Sequence, residues 1–326
     1  MTRDTPFDEN ALAIVRRAYA KQILALAGVS NAPQLEDAFA NVRREHFLGE
    51  PPWSMARSWG YDALPFTEPV LVYQDINFEL APERGVNNGQ PSLHASWLHH
   101  GGLSGGERVV HIGAGTGYYT ALMAHLVGMN GHVCAVEFDP ALAAMATKNL
   151  AHLANVSVVH DDGCGWPREK ADFVYVSFAS ERPAEAWVEN LEMGGRLVFP
   201  LGVPRPDPSP AGGRHTLYGA GLRVERVNAG FTALWLGPAA FVCAEGVLAE
   251  TAAGRQALAA AFERDDLASV RSLRWKQPAS ADRCWFIGSD WALCYDDVAK
   301  PRDRQPRRRA REIPASSRRA VPARGG

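Results

Sequence analysis

From Ala11 to Gly28 the apolar residues Leu12, Val15, Tyr19, Ile23 and Leu26 recur at three- and four-residue steps, the period of a helix, and Gly28 supplies a stop. Leu35, Phe39 and Val42 repeat that spacing in a second helix. Glu50-Pro51-Pro52 breaks helicity, Val70 to Leu80 reads as strand-like, and Pro82 to Gly89 as a loop. The pattern then alternates. The run Val109–Ile112 leads into a glycine loop and a helix ending near Gly128; Val133–Val136, a helix, Val156–Val159 and Phe173–Phe178 follow. Strands separated by helices of this length predict right-handed βαβ units, and therefore an α/β fold with a doubly wound, mostly parallel sheet. Arg196–Pro200 adds a strand, and Leu217–Tyr218, Leu222–Val227 and Phe231–Leu236 predict antiparallel strands that close its edge. A helix near Gln256–Arg264 and a hairpin, Trp285–Ile287 with Trp291–Tyr295 around Gly288-Ser289-Asp290, complete the pattern. The expected division is an N-terminal cap (1–84), a core (85–245), a helix-and-hairpin extension (246–297) and a tail (298–326) too rich in Arg, Pro, Ala, Ser and Gly to bury a core.

Composition narrows the class. The chain has 326 residues, 46% apolar and 21% charged, enough for a large globular core. Its net charge of -2 is uneven: the stretch 300–326 carries ten Lys/Arg against Asp303 and Glu312. The five cysteines are scattered without a CxxC pair, which argues against a disulfide framework and against a thiolate zinc site. His99-His100, His125 and His152 lack metal-ligand spacing, so no metal is expected. The N-terminus shows no charged-then-apolar leader, and no apolar run approaches the roughly 18 residues of a spanning helix, so a cytoplasmic chain without membrane insertion is expected.

The chemistry concentrates at strand ends. Strand one runs into His111-Ile112-Gly113-Ala114-Gly115-Thr116-Gly117-Tyr118, where glycines permit a sharp turn and close approach of backbone to a ligand. A dinucleotide fingerprint needs a third glycine where this chain has Tyr118, so NAD is disfavoured and S-adenosylmethionine (SAM) favoured. Glu137, followed by Phe138, ends strand two, where a carboxylate can accept from both hydroxyls of a ribose. Asp139-Pro140 before an alanine-rich helix reads as a cap and first turn. Strand three ends in His160-Asp161-Asp162-Gly163, an acid for an adenine amino group beside a glycine that leaves room for the ring. Strand four ends in Ser177-Phe178-Ala179-Ser180; it carries neither the Asn/Asp-Pro-Pro-Tyr of amine methylation nor a Pro-Cys nucleophile. The predicted cofactor site thus holds Gly113, Ala114, Gly115, Thr116, Gly117, Glu137, Phe138, Asp161, Asp162, Gly163 and Ser177, beyond the carboxyl ends of the strands.

These motifs, in this order, resemble the protein-L-isoaspartate O-methyltransferases. The resemblance covers roughly residues 12–245 and includes Val42-Arg43-Arg44-Glu45-His46-Phe47, Gly89-Gln90-Pro91, Val109–Gly117, Asp162-Gly163, Asp172–Ser180 and Gly194–Gly202. It implies SAM as cofactor, a protein or peptide partner, and esterification of an aspartyl or isoaspartyl carboxylate. The family's Thr-Ile-Ser-x-Pro stretch corresponds here to Asn87-Asn88-Gly89-Gln90-Pro91, so Gly89 replaces the serine and these four residues before Pro91 form the candidate substrate loop. His94 matches a family histidine near the cofactor. No residue is assigned to proton transfer, because a carboxylate is already ionised near neutral pH. The missing hydroxyl leaves two other readings open: a peptide-maturation methyltransferase acting on Asp in a ribosomally made peptide, and a SAM-binding regulator without catalysis. A nucleic-acid substrate rests only on Arg307-Arg308-Arg309, which reads instead as an arm that contacts polyanions nonspecifically. Trp53 and Trp59 are candidates for a peptide entrance.

Overall fold

The computed structural model describes residues 8–57, 60–207, 214–244, 248–264 and 266–298. The predicted basic tail therefore lies outside the described residues beyond Val298, as does Trp59. Helices α1 (Glu9–Leu26) and α2 (Pro33–Asn41) begin the cap, followed by hairpins β1 (Ser54–Arg57) with β2 (Gly60–Ala63) and β3 (Glu79–Ala81) with β4 (Val86–Asn87). Helix α3 (Pro91–Gly101) leads into the α/β core: β5 (Arg108–Ile112), α4 (Tyr118–Val127), β6 (His132–Glu137), α5 (Pro140–Leu150), β7 (Val156–His160), β8 (Ala171–Val176), α6 (Glu185–Glu189) and β9 (Leu191–Pro204). Then come β10 (Thr216–Val227), β11 (Gly230–Pro238), α7 (Ala252–Phe262), β12 (Ser272–Trp275), β13 (Cys284–Ile287) and β14 (Trp291–Cys294).

One sheet of ten strands runs through core and extension in the order β13-β14-β12-β11-β10-β9-β8-β5-β6-β7. Strands β5 to β9 pair in parallel, and β10 to β14 pair antiparallel beyond them. Chain order reverses at β5, which has β6 on one side and β8 on the other, so the loops after these strands open a crevice at their carboxyl ends. Val109, Val110, His111 and Ile112 are all buried, as expected of a strand covered on both faces. One apolar cluster packs the cap with α3, α4 and α5, including Tyr19, Phe39, Trp97 and Leu122; the other packs α6 and α7 with the antiparallel strands, including Trp187, Leu258 and Trp285.

Four expectations are corrected. Val70 to Leu80 is not a strand: Pro69–Val72 forms a single tight helical turn and only Glu79–Ala81 pairs. The intervening carbonyls of Val72, Gln74 and Ile76 turn onto the fully buried guanidinium of Arg44 at 2.6 Å each instead of onto a neighbouring strand. Leu217–Tyr218 and Leu222–Val227 form one strand, β10; a Cβ at Gly221 would stand 2.4 Å from the Trp97 ring, so that glycine admits a tryptophan rather than breaking the strand. Cys284 and Cys294 are register partners on β13 and β14 and form a disulfide. The five cysteines look scattered along the chain, yet the hairpin sets this pair, 10 residues apart, side by side. Trp53 is 5% exposed and donates to the Gly49 carbonyl at 3.1 Å, so it packs the cap rather than lining an entrance.

Candidate active site

The loop after β5 is built for close approach. Gly113, Gly115 and Gly117 all have positive φ, +73°, +56° and +98°, a region that side chains rarely adopt. A Cβ at Gly113 would meet Phe178 at 2.7 Å and one at Gly117 would meet Leu150 at 2.7 Å. The amides of Gly113 and Ala114 bond the Val136 carbonyl at 2.9 and 3.2 Å, which ties the loop to the end of β6. Thr116 faces inward: its hydroxyl donates to the Phe47 carbonyl at 2.5 Å and clamps the cap to the loop, while its carbonyl accepts from the Asn149 side chain at 3.0 Å.

Glu137 closes β6 beside that loop and is 7% exposed. One carboxylate oxygen accepts from the Gly115 amide at 2.7 Å and the other from the Asp139 amide at 2.9 Å. Burial raises its pKa, and those amide bonds pull it back. A carboxylate offers about four acceptor positions, so each oxygen retains one for a diol. Phe138, next along, is largely exposed. Asp139 caps α5 by accepting from the amides of Ala141 and Leu142 at 2.8 and 3.0 Å, which holds its pKa below the usual range, and it pairs with Arg84 at 2.5 Å.

The two acids after β7 differ. Asp161 accepts from Trp166 at 3.0 Å, Arg168 at 2.5 Å and the Asp162 amide at 2.8 Å, led by the Trp166 bond in lowering its pKa. Asp162 accepts from the Cys164 amide at 2.9 Å, and the Cys164 thiol also bonds its carboxylate. Gly163 forms the floor: a Cβ there would stand 2.1 Å from Ile112. Ser177, after β8, bonds Nε2 of His111 at 2.9 Å, and Nδ1 of His111 bonds the Thr120 hydroxyl at 2.8 Å. Burial drives the His111 pKa down to about 3, so the ring is neutral. Sequence reasoning passed over His111; its signal was a polar residue in an otherwise apolar strand.

The candidate substrate loop is folded onto itself and its neighbours. Asn87 accepts from the Gly89 amide at 2.9 Å, Gln90 donates to Asp75 at 2.9 Å, and Gly89 accepts from the Tyr119 hydroxyl at 3.0 Å. Asn88 is buried and accepts from the Phe78 amide at 2.7 Å, while its Nδ2 has no partner. Asp75, also unpredicted, caps α3 by accepting from the amide and hydroxyl of Ser92 at 2.8 and 2.6 Å. His94 is buried, stacks on Tyr119 with ring centres 3.7 Å apart, and bonds the Tyr175 hydroxyl through Nδ1 at 2.7 Å. Burial lowers its pKa to about 3.

Residues 20–207 match the model of the family described as protein-L-isoaspartate(D-aspartate) O-methyltransferase. The chain belongs to that family. Protein-L-isoaspartate O-methyltransferase 2 of Anaeromyxobacter sp. (strain Fw109-5) is 37% identical over 206 residues, 61% of this chain and 72% of the relative. The Thermotoga maritima protein-L-isoaspartate O-methyltransferase is 34% identical over 185 residues, 56% of this chain and 54% of the relative. A solved protein-L-isoaspartate O-methyltransferase superposes with a TM-score of 0.57 at 26% identity, over 72% of this chain and 67% of that one. A Plasmodium falciparum structure solved with S-adenosyl-L-homocysteine shares the fold, with a TM-score of 0.54 at 18% identity over 71% of this chain and 98% of that one. This family member is a SAM-dependent carboxyl methyltransferase, and the glycine cradle with its amide-held carboxylate fits that cofactor. The family match stops at residue 207, before β10 begins, so β10 to β14 lie beyond it. Among the described residues no group of three or more His, Cys, Asp or Glu is placed to hold a metal ion, and no helix is long and apolar enough to cross a membrane.

Proposed function

We propose that this chain methylates the side-chain carboxylate of an aspartyl or isoaspartyl residue presented by a protein or peptide, using the rim beyond β5, β6, β7 and β8 as its SAM site. The observation that carries the reading is Glu137, fixed by two backbone amides beside three left-handed glycines, a rigid acceptor for a sugar diol at the crevice. In this assignment Gly113, Ala114, Gly115 and Gly117 contribute close-approaching backbone, Asp162 is the acid for the adenine amino group, and Phe138 covers the sugar side. Asp161 is assigned to the loop through Arg168 and Trp166, and Thr116 to the cap.

Bound SAM supplies an electrophilic methyl group. The protein's part is alignment and exclusion of water, which can contribute up to roughly 7–11 kcal/mol, because the accepting carboxylate needs no base. His94 and His111 suit that role: both are neutral and fixed. We assign the methyl transfer to 85–245, closure over it to 1–84, and a substrate entrance to 246–297, with the protein acting in the cytoplasm and any polyanion contact left to the tail.

The purified chain, incubated with methyl-labelled SAM and paired aspartyl and isoaspartyl peptides, should yield a base-labile ester on a carboxylate. Methylation at nitrogen alone would defeat the proposal. The substitution of Gly89 for the family serine favours a second reading, in which ordinary Asp in a ribosomally made peptide is the acceptor; preference for the aspartyl member of each pair decides for it. SAM binding without turnover on either peptide identifies a regulator.

A further inference from the structure

The exit of β8 is held from beyond the family match. Past Ser177, the Ala179 amide donates to the Val242 carbonyl at 2.9 Å, the Ala179 carbonyl accepts from the Ala244 amide at 2.7 Å, and the Glu181 amide donates to the Leu248 carbonyl at 3.2 Å. Arg182 grips both carboxylate oxygens of Asp290, in the turn between β13 and β14, at 2.7 and 3.0 Å. Glu181 lies between these contacts and is 5% exposed. Its carboxylate accepts from Nε of Arg255 on α7 at 3.0 and 3.1 Å, from Nη2 of the same guanidinium at 2.9 Å, and from the Glu250 amide at 2.9 Å. Glu250 in turn accepts from the indole N–H of Trp291 on β14 at 3.1 Å. A carboxylate has about four acceptor positions, so Glu181 is nearly saturated and serves to fix backbone rather than to bind a ligand.

We propose that Glu181 is a positioning residue for methyl transfer: it locks the exit of β8 onto α7, so that the segment beyond residue 207 sets the wall against which the acceptor peptide lies. This rests on the carboxyl-methylation reading above. Strand order supplies the direction. With the ribose on Glu137 at the end of β6 and the base beside Asp162 beyond β7, the methyl end of the cofactor points the other way, over β5 and β8. The acceptor therefore enters on the side of β8 and β9, which the stretch from Ala179 to Arg182 borders, with Ser180 bridged to Leu201 of β9. The same outer segment also reaches α3, where Phe241 stacks on Trp97 with ring centres 5.2 Å apart, and so spans the gap between α3 and the exit of β8. A buried ion pair adds little net stability over an apolar pair of similar size, but it can hold one geometry. The rigid guanidinium fork on Glu181 holds the loop in that way.

The test uses the full chain, methyl-labelled SAM and a carboxyl peptide that the unaltered protein methylates. S-adenosylhomocysteine affinity from calorimetry and the thermal midpoint are measured in parallel. The double variant E181M/R255M replaces the pair by apolar side chains, so its midpoint should stay near the parent's. Its peptide KM should rise about 5- to 20-fold, with kcat and S-adenosylhomocysteine affinity within about threefold of the parent, because the wall binds peptide equally in ground and transition states. R255K keeps the charge without the fork and should give an intermediate KM. A purely architectural pair behaves differently: peptide affinity returns together with stability. Parent-like KM in E181M/R255M at a parent-like midpoint would therefore overturn the assignment alone. Loss of S-adenosylhomocysteine affinity in step with peptide affinity would overturn it too, by placing Glu181 behind the cofactor site. Should the double variant not fold, R255K and R255Q decide, because the Arg255 side chain is partly exposed and each substitution leaves Glu181 a donor; a parent-like peptide KM in both overturns the assignment. A parent chain that methylates no carboxyl peptide would overturn the carboxyl reading, and this inference with it.

Discussion

Glu137→Gln presses hardest on the cofactor site, because the structure limits how the amide can respond. Both carboxylate oxygens accept from backbone N–H groups, Gly115 at 2.7 Å and Asp139 at 2.9 Å. Whichever way a glutamine amide is turned, its NH2 faces one of those donors, so one buried backbone amide loses its acceptor. The face left for a sugar also changes from charged to neutral. Hydrogen bonds to charged groups contribute about 1.5–3 kcal/mol and neutral ones about 0.5–1.5, so two ribose bonds weakened by about 1 kcal/mol each, with some cost from the stranded amide, sum to roughly 2–4 kcal/mol. Calorimetry with S-adenosylhomocysteine at pH 7.5 should show binding weaker by roughly 30-fold to several hundredfold. The pH dependence adds a sign. Burial raises the Glu137 pKa, so in the parent the ionised form is lost at higher pH than for an ordinary glutamate, and affinity falls as pH drops through that raised value; the glutamine variant lacks this component. Affinity within threefold of the parent would refute the ribose role of Glu137.

The other predictions concern stability. His94 and His111 are held neutral down to about pH 3, against about 6.5 in an unfolded chain. The unfolded chain therefore binds more protons between those values. Urea midpoints should be highest above pH 6.5 and fall on acidification, by up to about 1.4 kcal/mol per pH unit for each imidazole, with a shallower fall in His111→Gln; a flat profile from pH 7.5 to 5 contradicts this. Arg44→Ala strands three carbonyls now bonded at 2.6 Å and should cost about 3–6 kcal/mol in chemical denaturation; a loss under 1 kcal/mol would show that the loop has other support. Replacing Cys284 and Cys294 together by serine should cost about 2–3 kcal/mol for a loop of this length, read as a lower thermal midpoint with S-adenosylhomocysteine affinity unchanged.

Sequence pattern resolved the parallel half of the fold because apolar runs, glycine stops and helical spacing all mark the same boundaries there. Val109–Ile112 and Val133–Val136 fall within β5 and β6, and Asp139 caps α5. It failed where a long-range partner decides the local shape. The segment after Val70 is apolar enough for a strand, but Arg44, some thirty residues away, draws its carbonyls inward. Gly221 looks like a stop, and only Trp97 explains it. For the candidate site, spacing marked the strand-end loops but could not say which way side chains turn. Asp161 and Asp162 are equivalent as letters, and the structure separates them by what each already holds. His94 was visible as a motif residue; its stack on Tyr119 needed coordinates.

Strand β9, the last strand inside the family match, would be a bare border of the sheet were it not paired with β10, the first strand of a segment that ends in the bridged β13–β14 hairpin. Border strands with open N–H and C=O groups recruit other chains. Trimming this protein to its family-sized portion should thus yield a sticky fragment that self-associates. The segment after residue 207 acts as a selvedge: with it kept, the border of the parallel half has its N–H and C=O groups already paired.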